Sequence, residues 1–307
     1  MLSKKTNIIL KFLFSSILLT FAFFMIRSEV DEYNFKKEMG FYNFYIPMYY
    51  PRLATKGLCE NCEMKIPKII HRVWMVFDPL KPDMSAVYKK YDKRLKELHP
   101  DWQIMEWDDK SSLEFVKQFY PDFLPTYYSY VIPVQRLDAM RYLLVHHYGG
   151  LAIQHSFYVQ KNLEPLLRGY EFVVAESNYN KNNISNLNTL IINNNFFAGM
   201  PKHPIMTKTI EYLTIRMKIQ GQHSDNLWYV FNTTGPLLLS DMLFMYIDKK
   251  QDPMVKILDG SYLTPFSNIE KNSEPVWSNC ILAPEKCHEL YPDFYAFSMS
   301  TGAWIKK

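Results

Sequence analysis

The segment that most constrains this chain runs from Pro133 through Tyr148 into Gly149-Gly150 and then Leu151 to Ile153. Proline at a first helical position has its φ already set and no N–H to leave unpaired, and glycine ends a helix at low steric cost. The spacing therefore predicts a helix over 133–148, a glycine turn, and a buried strand over 151–153. The same alternation recurs along the chain. Strands are predicted at 68–74, 102–107, 171–175 and 189–192 from short apolar, β-branched or aromatic runs. Helices are predicted at 85–98, 203–217 and 236–246. A further helix is expected to open on a capping box at Ser111-Ser112-Leu113-Glu114. Alternating strands and helices imply an α/β domain around a mostly parallel, covered sheet.

Asn7 to Ile26 is apolar except for Lys11. About 20 apolar residues span a bilayer as a helix. Lys4, Lys5 and Lys11 lie at its start, and Glu29, Asp31 and Glu32 follow it. The positive-inside bias leaves residues 1–6 in the cytosol and the remainder in the lumen, a single-pass type II arrangement. A cleaved signal peptide is the rival reading, but no small-x-small site follows the run. Residues 27–65 read as a stem, and 66–307 as one lumenal domain.

The formal charge of +4, with no basic block interleaved with aromatics, argues against nucleic acid. Charged residues are 21% and hydrophobic ones 48%, enough to build a sizeable core. Cys59, Cys62, Cys280 and Cys287 all follow the apolar run, where oxidation is permitted. They are expected to form structural disulfides, with three pairings open, rather than a redox or zinc site. Asn183-Ile184-Ser185 and Asn232-Thr233-Thr234 are glycosylation acceptors, the first in a polar run that reads as an exposed loop.

Asp138 and Arg141 stand three apart and share a helix face, with Leu137, Leu144 and Val145 on the other. Such a pair is often a plain structural ion pair. Here its helix feeds a buried strand of an open α/β sheet, and ligands bind at strand ends in such sheets. His146 and His147 suit a helix C-terminus. Asp108 and Glu176 both follow predicted strands, the only hint of a hydrolytic carboxylate pair.

The run Tyr128 to Tyr142 with Tyr148-Gly149-Gly150 resembles the family 32 glycosyltransferases that carry an Asp-x-Asp motif, related to the Golgi α-1,6-mannosyltransferase. Within them it is most similar to the catalytic subunits of inositol phosphoceramide mannosyltransferase. Ile66 to His71 with Trp74, Trp107-Asp108, Lys202-His203-Pro204 and Thr234-Gly235-Pro236 fit in the same order. The resemblance implies a GT-A fold, a nucleotide-sugar donor such as GDP-mannose, a lipid or glycan acceptor, and a Golgi or endoplasmic-reticulum membrane. It implies that Trp74 meets the base and that Asp138 and Arg141 hold ribose and sugar hydroxyls. Tyr142, Gly149, Gly150, Thr234 and Gly235 complete the expected donor site.

Where the family has Asp-x-Asp, this sequence has Gln154-His155-Ser156. The family's Mn²⁺ or Mg²⁺ would be held by those carboxylates, and Gln154 and Ser156 bring no charge. No histidine precedes Trp304 in Phe297 to Trp304 either, where the family often has one. His155, alternating away from its neighbours on a strand, is expected to be a core or surface residue. Two functions follow: a transferase that manages its leaving diphosphate without the usual metal, or an inactive relative that binds a partner subunit, a glycan or a nucleotide sugar.

Overall fold

The structure is a computed structural model that describes residues 54–59, 61–77, 83–177, 191–220, 227–263 and 287–298. The strands in chain order are β1 (Ala54–Thr55), β2 (Ile69–Val73), β3 (Gln103–Trp107), β4 (Gly150–Ile153), β5 (Phe157–Val159), β6 (Phe172–Glu176), β7 (Ile192–Gly199), β8 (Val255–Leu258) and β9 (Ala296–Ser298). The helices used below are α1 (Ala86–Leu98), α2 (Asp109–Phe119), α3 (Leu124–Ser129), α4 (Pro133–Tyr148), α5 (Pro204–Gln220), α6 (Leu227–Thr233) and α7 (Pro236–Lys249).

Seven strands form one sheet in the order β1-β8-β6-β7-β4-β2-β3. All neighbours run parallel except β7, which is antiparallel to both β6 and β4. The expected mostly parallel α/β sheet is therefore present. A second, two-stranded sheet pairs β5 with β9.

Three local expectations change. Helix α2 starts at Asp109, not at Ser111, because Asp108 is the better cap. Its carboxylate accepts from the Ser111 backbone N–H at 2.7 Å, and Ser111 Oγ accepts from the Asp108 N–H at 2.8 Å. Glu114, expected to close that box, instead pairs with Lys117 at 2.9 Å. The strand expected at 189–192 begins at Ile192 and runs on through an asparagine triplet to Gly199. Part of the expected stem joins the sheet: β1 pairs with β8, and Lys256 Nζ donates to the Gly57 carbonyl at 2.6 Å.

Helix α4 has no solvent face over most of its length. Every residue from Val134 to Val145 is buried except Arg136, which is half-buried. It packs between β2, β4 and β7 on one side and α5 and α6 on the other. The Asp138–Arg141 face is thus interior, which a simple amphipathic reading does not provide.

Cys59 and Cys62 are bridged, and Cys287 is also disulfide-bonded. Gly169, at φ +84, lies against the first bridge, where a Cβ would stand 2.9 Å from Cys62 Cβ. Cys280, Asn183 and the apolar run 7–26 lie outside the described residues. Among the described residues no helix is long and apolar enough to cross a membrane.

Candidate nucleotide-sugar site

The parallel strands β2, β3 and β4 end at one edge of the sheet. Ile70 pairs with Leu151 and Val73 with Trp107, so Trp74, Asp108 and Gln154 emerge side by side. The reversed strand β7 starts at this edge. Its Asn195 carbonyl accepts from the Gln154 N–H at 3.0 Å. An antiparallel strand thus adds Asn193, Asn194 and Asn195 to the edge where its parallel neighbours end. Asparagine is poor in strands, which is why the strand expected from the sequence stops at 192.

Asp138 reaches the edge from α4. It forms a buried ion pair with Arg141, accepts from Thr234 Oγ1 at 3.1 Å, and is also bonded by the Asn194 side chain. Arg141 Nη1 donates to Asn195 Oδ1 at 3.4 Å, and its Nε is buried with no partner among the described residues. Burial pushes the Asp138 carboxyl up to about 6, against the pull of Arg141 and Thr234. Tyr142 donates to the Thr234 carbonyl at 2.9 Å. Gly235 caps α7, and a Cβ there would stand 2.8 Å from Phe231 Cα. Asp138, Arg141, Tyr142, Thr234 and Gly235 therefore form one buried cluster.

Trp74 joins this cluster through the turn after β4. Its ring meets His155 edge to face, with centroids 5.9 Å apart. Residues 154–156 are not strand: the Phe157 N–H bonds the Gln154 carbonyl at 3.1 Å, closing a tight turn. The alternation expected for His155 does not apply, and the ring is buried for another reason. Its Nδ1 bonds the Asp92 carboxylate at 3.0 Å. Asp92 in turn pairs with Arg72, whose Nη1 donates to the Gln154 carbonyl at 2.9 Å. Burial opposes ionisation of Asp92, yet the bonds from His155 and Arg72 hold its carboxyl below the ordinary value. Burial and Arg72 both lower the His155 ring, so it is neutral near pH 7. Arg72 and Asp92 were not legible as site residues: Arg72 sits between the matched His71 and Trp74 without being matched itself, and Asp92 lies in a charged helix with no motif around it.

Gln154 and Ser156 face one another. Ser156 Oγ donates to Gln154 Oε1 at 3.1 Å and lies 2.9 Å from Ser298 Oγ on β9. Three neutral groups satisfy one another where a divalent cation would need carboxylates. No group of three histidine, cysteine or acidic side chains suited to a metal occurs among the described residues. This donor set does not fit Mn²⁺ or Mg²⁺.

Two expected site residues lie elsewhere. Gly149 and Gly150 are at the opposite end of β4, about 16 Å along α4 from Asp138. They are glycines for backbone reasons: φ is +68 and +95, and a Cβ would stand 2.7 Å from Pro201 Cδ and 2.5 Å from the Ile69 carbonyl, respectively. His146 and His147 are also at that end. His146 bonds Tyr120 and Thr207, and His147 packs on Phe119. A hydrolytic pair is excluded for Asp108 and Glu176, because β3 and β6 are four strands apart, about 19 Å.

Residues 85–173 match the family described as glycosyltransferase sugar-binding region containing DXD motif. The chain is 31% identical over 204 residues to mannosyl phosphorylinositol ceramide synthase SUR1 of Saccharomyces cerevisiae, covering 64% of this chain and 47% of that protein. It is 28% identical over 193 residues to inositol phosphoceramide mannosyltransferase 1 of Schizosaccharomyces pombe, covering 62% and 55%. The chain thus spans about half the length of the curated relatives it matches. Among solved structures, the PaToxG glycosyltransferase aligns with a TM-score of 0.45 at 16% identity, over 88% of this chain and 90% of that one. Residues 85–173 are thus similar to the glycosyltransferase sugar-binding region containing the DXD motif, and the chain is similar over part of its length to the inositol phosphoceramide mannosyltransferases.

Proposed function

We propose that this chain is a membrane-anchored glycosyltransferase with a GT-A-like domain, moving mannose from GDP-mannose to a lipid acceptor of the inositol phosphoceramide class. The buried Asp138–Arg141 pair carries the reading. It sits at the strand-end edge with Thr234 and Asn195, linked by contacts to Trp74, and it lies inside the family match. A desolvated carboxylate and guanidinium make strong directional bonds to hydroxyls. An indole face suits a planar base, and Trp74 is half-buried. In this reading Asp138 accepts from sugar hydroxyls, Arg141 donates to them, and Tyr142, Thr234 and Gly235 fix the Asp138 carboxylate from behind. Asn7 to Ile26 anchors the chain in a Golgi or endoplasmic-reticulum membrane with the C-terminus in the lumen.

The neutral Gln154–Ser156–Ser298 set favours a second reading, a relative that binds the donor or a partner subunit without transfer. The two separate in one experiment on the full-length protein. Calorimetry with GDP-mannose and UDP-glucose, with Mn²⁺ and with chelator, is run beside a transfer assay on inositol phosphoceramide. Binding with transfer supports the enzyme, and binding without transfer supports the relative. No binding of either nucleotide sugar overturns both donor-site readings.

A further inference from the structure

The chain Arg72–Asp92–His155, buried at both ends and half-buried at Asp92, ends on an unused atom. The His155 ring is 4% exposed. Its Nδ1 lies 3.1 and 3.0 Å from the two Asp92 oxygens. A carboxylate only accepts, so the imidazole proton is on Nδ1 and Nε2 presents a bare lone pair on the far side of the ring. That Nε2 is buried and has no hydrogen-bond partner among the described residues. Arg72 holds the arrangement from below: it pairs with Asp92 and donates to the carbonyls of Ile153 at 3.2 Å and Gln154 at 2.9 Å. The ring and the turn that carries it are therefore fixed before any ligand arrives.

We infer that His155 is a ligand-binding residue whose Nε2 accepts a hydrogen bond from a ribose hydroxyl of a nucleotide whose base lies on Trp74. The inference rests on the nucleotide-sugar reading above and adds a residue to it. Three observations select the ligand group. A bare acceptor nitrogen requires a donor, and phosphate oxygens only accept. The Trp74 ring meets His155 edge to face at 5.9 Å, so the histidine borders the indole that would carry the base, and ribose is the group bonded to a base. The neighbouring Gln154 and Ser156 side chains bond one another, which leaves His155 Nε2 as the buried side-chain acceptor of this turn that has no partner among the described residues.

The test uses the full-length chain in detergent, titrated by calorimetry with GDP and with GDP-mannose. His155→Asn keeps an amide N–H near the Nδ1 position for Asp92 and has no atom at Nε2. His155→Gln reaches the Nε2 position with an oxygen and gives up Asp92. The Asn variant should keep a near-native unfolding midpoint and weaken both ligands about tenfold, the size expected for one lost hydrogen bond in a desolvated site. The Gln variant should bind within about threefold of the unaltered chain even if it unfolds earlier. Unchanged binding by the Asn variant overturns the inference alone. So does a loss of affinity in both variants that follows their loss of stability, which marks a structural clamp. Weakening of GDP-mannose but not of GDP overturns the ribose assignment. If the unaltered chain binds neither ligand, the nucleotide-sugar reading falls and this inference with it.

Discussion

Ser156 Oγ donates to Gln154 Oε1 at 3.1 Å, so the two positions that match the family's aspartates are bonded to each other. A dication held against a diphosphate needs negative ligands, and neutral oxygens complete such a shell without founding it. Mn²⁺ should therefore change donor affinity little in the unaltered protein. Replacing Gln154→Asp together with Ser156→Asp should create Mn²⁺ dependence. Calorimetry with metal and with chelator measures both, and strong metal-dependent binding by the unaltered chain would sink the idea.

Arg141 is buried against Asp138. Removing it leaves an uncompensated carboxylate in the interior. Arg141→Ala should lower stability by about 3 kcal/mol and weaken the donor at least tenfold. Asp138→Asn with Arg141→Met should lose less stability than the two single changes summed, because the pair acts as a unit. Denaturant unfolding of the four proteins checks this, and strict additivity would refute it.

His71 gives the stability a pH signature. It is fully buried and its Nε2 donates to the Gly149 carbonyl at 2.8 Å. Burial lowers its ring to about 4 from an ordinary 6.5. The unfolded chain binds this proton below pH 6.5 and the folded chain does not, so stability is fully present above 6.5 and is lost as pH falls through about 4. The loss attributable to His71 should approach about 3 kcal/mol. His71→Gln should flatten the stability–pH curve over this window, and an unchanged slope would count against the assignment.

Asn232 lies in α6, and the third residue of its acceptor triplet, Thr234, is buried with its hydroxyl on Asp138. Glycosylation needs an exposed triplet. Glycopeptide mapping of the secreted-pathway protein should find Asn183 modified in preference to Asn232. Full occupancy at Asn232 would place this segment far from any site.

The anchor is tested by topology. A C-terminal tag should survive protease in intact microsomes and be digested once they are opened with detergent. Digestion before opening would reverse the proposed orientation.

The sequence exposes the α/β alternation because most of its strands are short and apolar and its helices are punctuated by proline and glycine. It hides what depends on long-range pairing. Asn193 to Asn195 fall outside the expected strand because the partners of Asn195, Gln154 and Arg141, come from elsewhere in the chain. Ala54–Thr55 and Phe157–Val159 are too short to carry a period and exist only through pairing with β8 and β9. Asp138, Arg141 and Thr234 could be named because motif and order point to them. Arg72 and Asp92 could not, since an arginine in a strand and an aspartate in a charged helix look like solvated surface until burial is known. Gly149 and Gly150 were legible as glycines that matter, but the cause is backbone geometry rather than a ligand.

Those two glycines also act as a spacer gauge for the whole site. Pro67 and Pro201 close on Gly149, and the Ile69 carbonyl closes on Gly150. The far ends of α4 and β2 are thereby pinned together, and each element then runs rigidly to the working edge, one delivering Asp138 and the other Trp74. The gap between Asp138 and Trp74 is thus fixed at a point that touches neither. A side chain added at Gly150 would act first on that gap, by forcing β2 away, rather than by removing a contact at either end.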